Sequence, residues 1–173
     1  MSDFAHRLQL DQVHDGDRID LAADDAERQA ISERLGLAGL DRLEAHAVLA
    51  RDGDAIRVTG RMQAALTQSC VVTGEPISAH VDEPFEFAFL PEPDGVNVHE
   101  EVELGADECD IIFHDGTMID LGTAIADTLA LSLEPYPRSA SAETALKEAG
   151  VMTEEEASPF AVLAQLKRGD AGE

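Results

Sequence analysis

Two cysteines, six histidines and 36 acidic side chains are the first groups to weigh for covalent or metal chemistry in this 173-residue chain. A thiol nucleophile needs a base within hydrogen-bond reach. For Cys70 the candidates are His80 and His46, and no spacing places either beside it. Cys70 closes a long strand pattern and reads as a buried, inert thiol. Cys109, Asp110, His114 and Asp115, preceded by His99-Glu100-Glu101, are ligand types, yet no C-x-x-C or H-E-x-x-H pattern fixes a coordination geometry. The expectation is therefore no metal. Neither G-x-G-x-x-G nor G-x-x-x-x-G-K occurs, so nothing supports nucleotide binding. In so acidic a chain any one pair of carboxylates is uninformative, and no catalytic residue and no cofactor are expected.

Charge says more than motif. Twelve basic against 36 acidic side chains give a net charge of −24. Binding to phosphate draws on Lys and Arg releasing counterions, and the field of this chain opposes it. The same field opposes an anionic membrane surface. The imbalance is also uneven: no basic residue stands between Arg61 and Arg138, while 16 acids run from Glu75 to Glu134. Nothing along the chain pairs with them, so solvent or a basic partner is expected to neutralise that stretch. No run approaches the roughly 20 apolar residues of a membrane-spanning helix, the first residues lack a basic region leading into an apolar stretch, and two cysteines make no disulfide framework. A cytoplasmic protein with free thiols is expected.

The elements that position these groups follow from periodicity. Leu8–Val13 and Arg18–Leu21 suggest one or two short strands. Asp24-Asp25-Ala26-Glu27 matches a capping box, opening a helix that Gly36 ends. Leu43, Ala45, Ala47 and Leu49 alternate, turn at Asp52-Gly53-Asp54, and resume at Ile56, Val58, Met62, Ala64 and Leu66, which is a hairpin with one buried face. A third alternation carries Ile77, Ala79, Val81, Phe85, Phe87 and Phe89; the phenylalanines belong in the core, and Pro84 belongs at an edge or bulge. Residues 91–105 read as an acidic mobile loop, Asp110–Phe113 as a short strand, and Leu121, Ile125, Leu129 and Leu133 as the apolar stripe of a helix stopped by Pro135. The fold class is α+β: an antiparallel sheet or partly closed barrel, two packing helices, and a short C-terminal helix on a flexible linker. Residues 1–138 form the core domain and 139–173 an acidic linker with an amphipathic helix at about 159–168, started by Ser158-Pro159.

Cys70-Val71-Val72-Thr73-Gly74-Glu75-Pro76-Ile77, followed by Asp82-Glu83-Pro84-Phe85-Glu86-Phe87-Ala88-Phe89-Leu90-Pro91-Glu92, resembles the signature of the YceD family of large-ribosomal-subunit RNA accumulation proteins. Ile119-Asp120-Leu121-Gly122, Pro135-Tyr136-Pro137-Arg138 and Ser158-Pro159-Phe160-Ala161-Val162-Leu163 resemble its later blocks in the right order. The resemblance implies a bacterial, non-catalytic factor in synthesis, processing or stability of large-subunit ribosomal RNA. Many relatives carry C-x-x-C where this chain has Cys70-Val71-Val72-Thr73; threonine is no thiolate, which counts against zinc here. Given the charge, the expected partner is a basic ribosomal protein or assembly factor, with ribosomal RNA reached indirectly. The competing classes are a direct RNA-binding module and a metal-dependent RNA hydrolase. The expected site residues are Cys70, Thr73, Gly74, Glu75 and Pro76 at the signature turn; Glu100, Glu101, Glu103, Asp107 and Glu108 for partner contact; and Asp120, Gly122, Tyr136, Pro137 and Arg138 in the later motif, with Asp120 placed to cap its helix and Arg138 to pair with a carboxylate.

Overall fold

The computed structural model describes residues 4–92 and 110–151. They fall into two units, one from the segments ending at Gln68 and running from Ser78 to Pro135, the other from Ser69–Ile77 and the chain from Tyr136 onward.

In the first unit the capping box forms as read. Asp24 accepts from the Glu27 N–H and Glu27 reaches back to the Asp24 N–H, starting α1 (Asp25–Leu35). Strand β1 (Arg7–Gln9) is shorter than the alternation suggested, because the chain turns into a single 3-10 turn at Leu10–Gln12. Its carbonyls are bolted down by Arg51, whose Nη1 donates to Leu10 O and, at 2.8 Å, to Val13 O. β2 (Arg18–Ala22), β3 (Gly39–Asp52), β4 (Ala55–Ser69), β5 (Pro76–Pro91) and β6 (Asp110–His114) form one sheet in the order β2-β3-β4-β5-β6. β3 and β4 are the expected hairpin, paired from Asp52↔Ala55 back to Gly39↔Thr67, with one irregularity between Leu40 and Arg42.

Of the two expected forms, the described residues take the open sheet and not the partly closed barrel. One feature of it was not in the expectation: β6 joins parallel to β5, Phe87↔Asp110 through Pro91↔His114, so the sheet is mixed and not wholly antiparallel. That pairing begins downstream of Pro84, which leaves the proline, unable to donate to a ladder, on a stretch that β6 does not cover. A short strand β7 (Met118–Asp120) pairs antiparallel with β1 as a separate ribbon and leads directly into α2 (Leu121–Ser132).

Leu43, Ala45, Ala47 and Leu49 of β3 and Ile56, Val58, Met62, Ala64 and Leu66 of β4 lie on the buried face as read, and Phe85, Phe87 and Phe89 join them, the rings of Phe85 and Phe87 stacked at 5.2 Å and those of Phe87 and Phe89 edge-on at 5.5 Å. Ile31 of α1 and Leu121, Ile125 and Leu129 of α2 complete one core cluster. At the exit of α2, Gln68 Nε2 donates to Glu134 O at 2.9 Å.

The charge expectation needs correction. Four acids of the 62–137 stretch do find arginines, all from the first 61 residues: Arg61 with Asp82 (2.5 Å), Arg57 with Glu86 (2.6 Å), Arg7 with Asp120 (3.4 Å) and Arg34 with Asp127 (3.0 Å). The pairing is tertiary, between residues 21 to 113 apart in sequence, which is why reading along the chain missed it. In the second unit, the stretch read as linker contains a seven-residue helix, α3 (Ala142–Glu148). The expected helix at about 159–168 lies outside the described residues, and so does the expected loop at 91–105 apart from its first two residues, of which Pro91 is the last residue of β5.

Candidate functional site

The second unit contains the whole signature turn, Cys70–Ile77. Cys70 N–H donates to Glu75 O (2.8 Å) and Gly74 N–H to Cys70 O (2.9 Å), closing a tight turn. Gly74 takes φ +75°, a conformation that a side chain would strain. Pro76 opens β5. Val71 N–H donates to Pro137 O (2.9 Å), tying this turn to the segment that follows α2 in sequence.

Inside the turn the Cys70 thiol is free and buried. Its sulfur accepts from the backbone N–H groups of Thr73 (3.4 Å) and Ser139 (3.3 Å), with the Ser139 hydroxyl at 3.5 Å. Burial pushes the thiol up, but the donors from Ser139 and Thr73 outweigh it and hold Cys70 down at about 6. The burial is as expected; the thiolate character is not, since an apolar pocket alone raises a thiol.

Beside it, three hydroxyls face one oxygen of Glu75: Thr73 Oγ1 (3.0 Å), Ser139 Oγ (2.7 Å) and Ser141 Oγ. The Ser141, Ser139 and Thr73 hydroxyls hold the Glu75 carboxyl below its usual range. A hydroxyl carries one proton, so Ser139 serves either Glu75 or Cys70 at any moment, and the shorter contact favours Glu75. Ser139 and Ser141 are the residues the sequence reading missed. They stood in a Ser-Ala-Ser-Ala run that looked like linker, and only the fold brings them to Glu75.

Zinc fits this donor set poorly. Structural zinc takes four ligands from thiolate, imidazole and carboxylate. Here one thiol and one carboxylate stand among hydroxyls, and among the described residues no group of three or more His, Cys, Asp or Glu side chains gathers.

The later motif is divided between the units. Asp120 accepts from the Thr123 N–H at 3.0 Å and caps α2, as expected. Gly122 sits where a Cβ would lie 2.2 Å from the Phe4 carbonyl oxygen, so its role is close approach of backbone. Tyr136 and Arg138 belong to the second unit and are exposed. Arg138 pairs with no carboxylate among the described residues. Glu100, Glu101, Glu103, Asp107 and Glu108 lie outside the described residues.

The first unit has its own concavity, a cleft of about 470 Å³ between β6, β7 and the start of α2. Phe113 and Met118 line it although they are 58% and 39% exposed, and Glu92, Asp115, Asp120 and Asp127 supply carboxylates. The Asp115 carboxyl is held below its usual range by the Thr117 hydroxyl and then by the N–H groups of Thr117 and Met118, so it stays ionised. His114 is also on the lining, with the Gly116 N–H donating to its Nδ1 at 3.0 Å and its Nε2 2.9 Å from Asp54 O.

Comparison with known protein families gives a match. The family model for Large ribosomal RNA subunit accumulation protein YceD covers residues 58–167, which takes in the signature turn, β5, the cleft and α2. No curated protein and no solved structure matches. Among the described residues no helix is long and apolar enough to cross a membrane.

Proposed function

The chain belongs to the YceD family, and from that membership we propose that it is a non-catalytic factor in large ribosomal subunit biogenesis, reaching ribosomal RNA through a basic protein partner. The family match over residues 58–167 carries the first half of this reading. The net charge of −24 supports the second, because a polyanion approaches phosphate only against its own field, whereas ribosomal proteins are cations. Four ion pairs with arginine offset part of the acidic stretch, and they leave Glu92 and Asp115 facing the cleft.

Depletion in cells tests the first half. Large-subunit ribosomal RNA should fall relative to small-subunit RNA, and an unchanged ratio would refute the assignment. Binding in vitro tests the second half. Purified large-subunit proteins should bind the full chain at low salt and release it as salt rises through the physiological range. Tight binding of protein-free transcript at physiological salt would establish a direct RNA-binding module instead. Chelator-sensitive cleavage of that transcript would establish a hydrolase.

A further inference from the structure

The cleft of the first unit combines features that a solvated acidic surface does not need. Phe113 and Met118 present large apolar side chains to water, which is unfavourable in proportion to the apolar area left uncovered. They do so beside carboxylates, where the local field excludes phosphates and carboxylates as ligands. Asp120 and Asp127 are partly neutralised by Arg7 and Arg34, so among the described residues the charge without an ion pair on the cleft is that of Glu92 and Asp115, one on each side of β6 in the chain. β6 is also the last strand of the sheet, and among the described residues no strand covers its outer edge. An exposed edge accepts an extended chain by main-chain pairing, with alternate side chains entering the adjoining pocket.

We propose that this cleft binds an extended basic segment of a protein partner, which lays one apolar side chain against Phe113 and Met118 while its flanking Lys or Arg residues reach Glu92 and Asp115. The volume of about 470 Å³ admits one or two side chains and excludes a folded domain. Alternation is required of the ligand because successive residues of a strand point to opposite faces. The inference rests on the protein-mediated reading above and narrows it to one surface and one class of segment.

The test uses the full chain and three labelled synthetic peptides. The first alternates Lys with Val around a central Leu, the second replaces that Leu by Ser, and the third replaces every Lys by Glu. Binding is followed by anisotropy at several salt concentrations. The first peptide should bind, the second about tenfold more weakly from the loss of one buried aliphatic side chain, and the third not at all. Phe113→Ser in the protein should reproduce the loss seen with the second peptide. Glu92→Lys should weaken the first peptide and flatten its salt dependence. Both residues are exposed, and circular dichroism checks that the variants fold.

Equal binding of the first two peptides, or wild-type affinity in Phe113→Ser, overturns the proposal and leaves only a diffuse polyanion effect. Concentration-dependent dimerisation that Phe113→Ser abolishes also overturns it, since the occupant is then a second copy of the chain. Capture of large-subunit proteins by both wild type and Phe113→Ser would refute the cleft and spare the broader function. Capture by neither would remove the reading on which the cleft depends.

Discussion

Gly122→Ala sets two physical effects of opposite sign against each other. Replacing a glycine inside a helix by alanine gains about 1 kcal/mol of backbone propensity. The site itself opposes this. A Cβ at residue 122 would lie 2.2 Å from Phe4 O and 2.8 Å from His6 N, both backbone atoms that cannot swing aside as a side-chain tip does. Reaching ordinary contact means moving the Phe4–His6 segment by roughly 1 Å, which strains tight packing by about 3 kcal/mol. That segment carries the buried Phe4 ring and the His6 carbonyl that accepts from Leu121 N–H at 3.0 Å, and it feeds β1 into its pairing with β7. The steric term wins, with a net loss of about 2 kcal/mol, or a fall in Tm of about 4–8 °C for a chain of this length. Urea titration followed by far-ultraviolet circular dichroism measures the first and a thermal scan the second. Gly39→Ala is the control: nothing lies within 4 Å of its Cβ position, so stability should hold or rise slightly. A Gly122→Ala protein as stable as wild type, or more so, would refute the close-approach account.

In a Cys109→Ser background, the ultraviolet absorbance of the Cys70 thiolate should titrate with a midpoint near 6. Ser139→Ala should raise that midpoint by removing a donor, and Glu75→Gln should lower it by removing a nearby negative charge and releasing the Ser139 proton; shifts in the opposite directions would refute the shared-proton account. Because this acid is depressed on folding, its contribution to stability is fully present above the ordinary thiol value and is lost as pH falls through about 6. Urea midpoints compared for Cys70 and Cys70→Ser should therefore converge toward acid. Phe87→Ala, which removes the ring lying between Phe85 and Phe89, should cost about 3–5 kcal/mol by the same denaturation assay. Asp24→Ala, which deletes half of the capping box, should cost about 1 kcal/mol.

What the sequence made legible was local. The capping box, the β3–β4 hairpin with its Asp52-Gly53-Asp54 turn, the phenylalanine triplet and the Leu121, Ile125, Leu129 stripe each declare themselves within a few residues, because period and turn chemistry are local properties. Strand direction is not. Asp110–His114 has the same pattern whether it runs parallel or antiparallel, and the parallel choice depends on the path of the 17-residue connection from Glu92 to Asp110. Short elements hide as well: β7 is three residues and α3 seven, too few for a period to show.

The site divides along the same line. Cys70, Thr73 and Glu75 were found because they are neighbours in one turn, whereas Ser139 and Ser141 reach Glu75 across 64 and 66 residues. Their hydroxyls bear on what kind of turn this is. A thiolate pair with zinc fixes a knuckle by coordination; here a single thiol takes two amide donors, and one carboxylate collects three hydroxyls. Hydrogen bonds to charged acceptors are directional and stronger than neutral ones, so the cluster can hold the turn's shape without an ion. The turn's stability should then respond to pH, through Cys70 and Glu75, and be indifferent to chelators. A chelator that lowered the unfolding midpoint of the chain purified without chelator would show that an ion, and not the hydroxyl cluster, holds Cys70 and Glu75 in place.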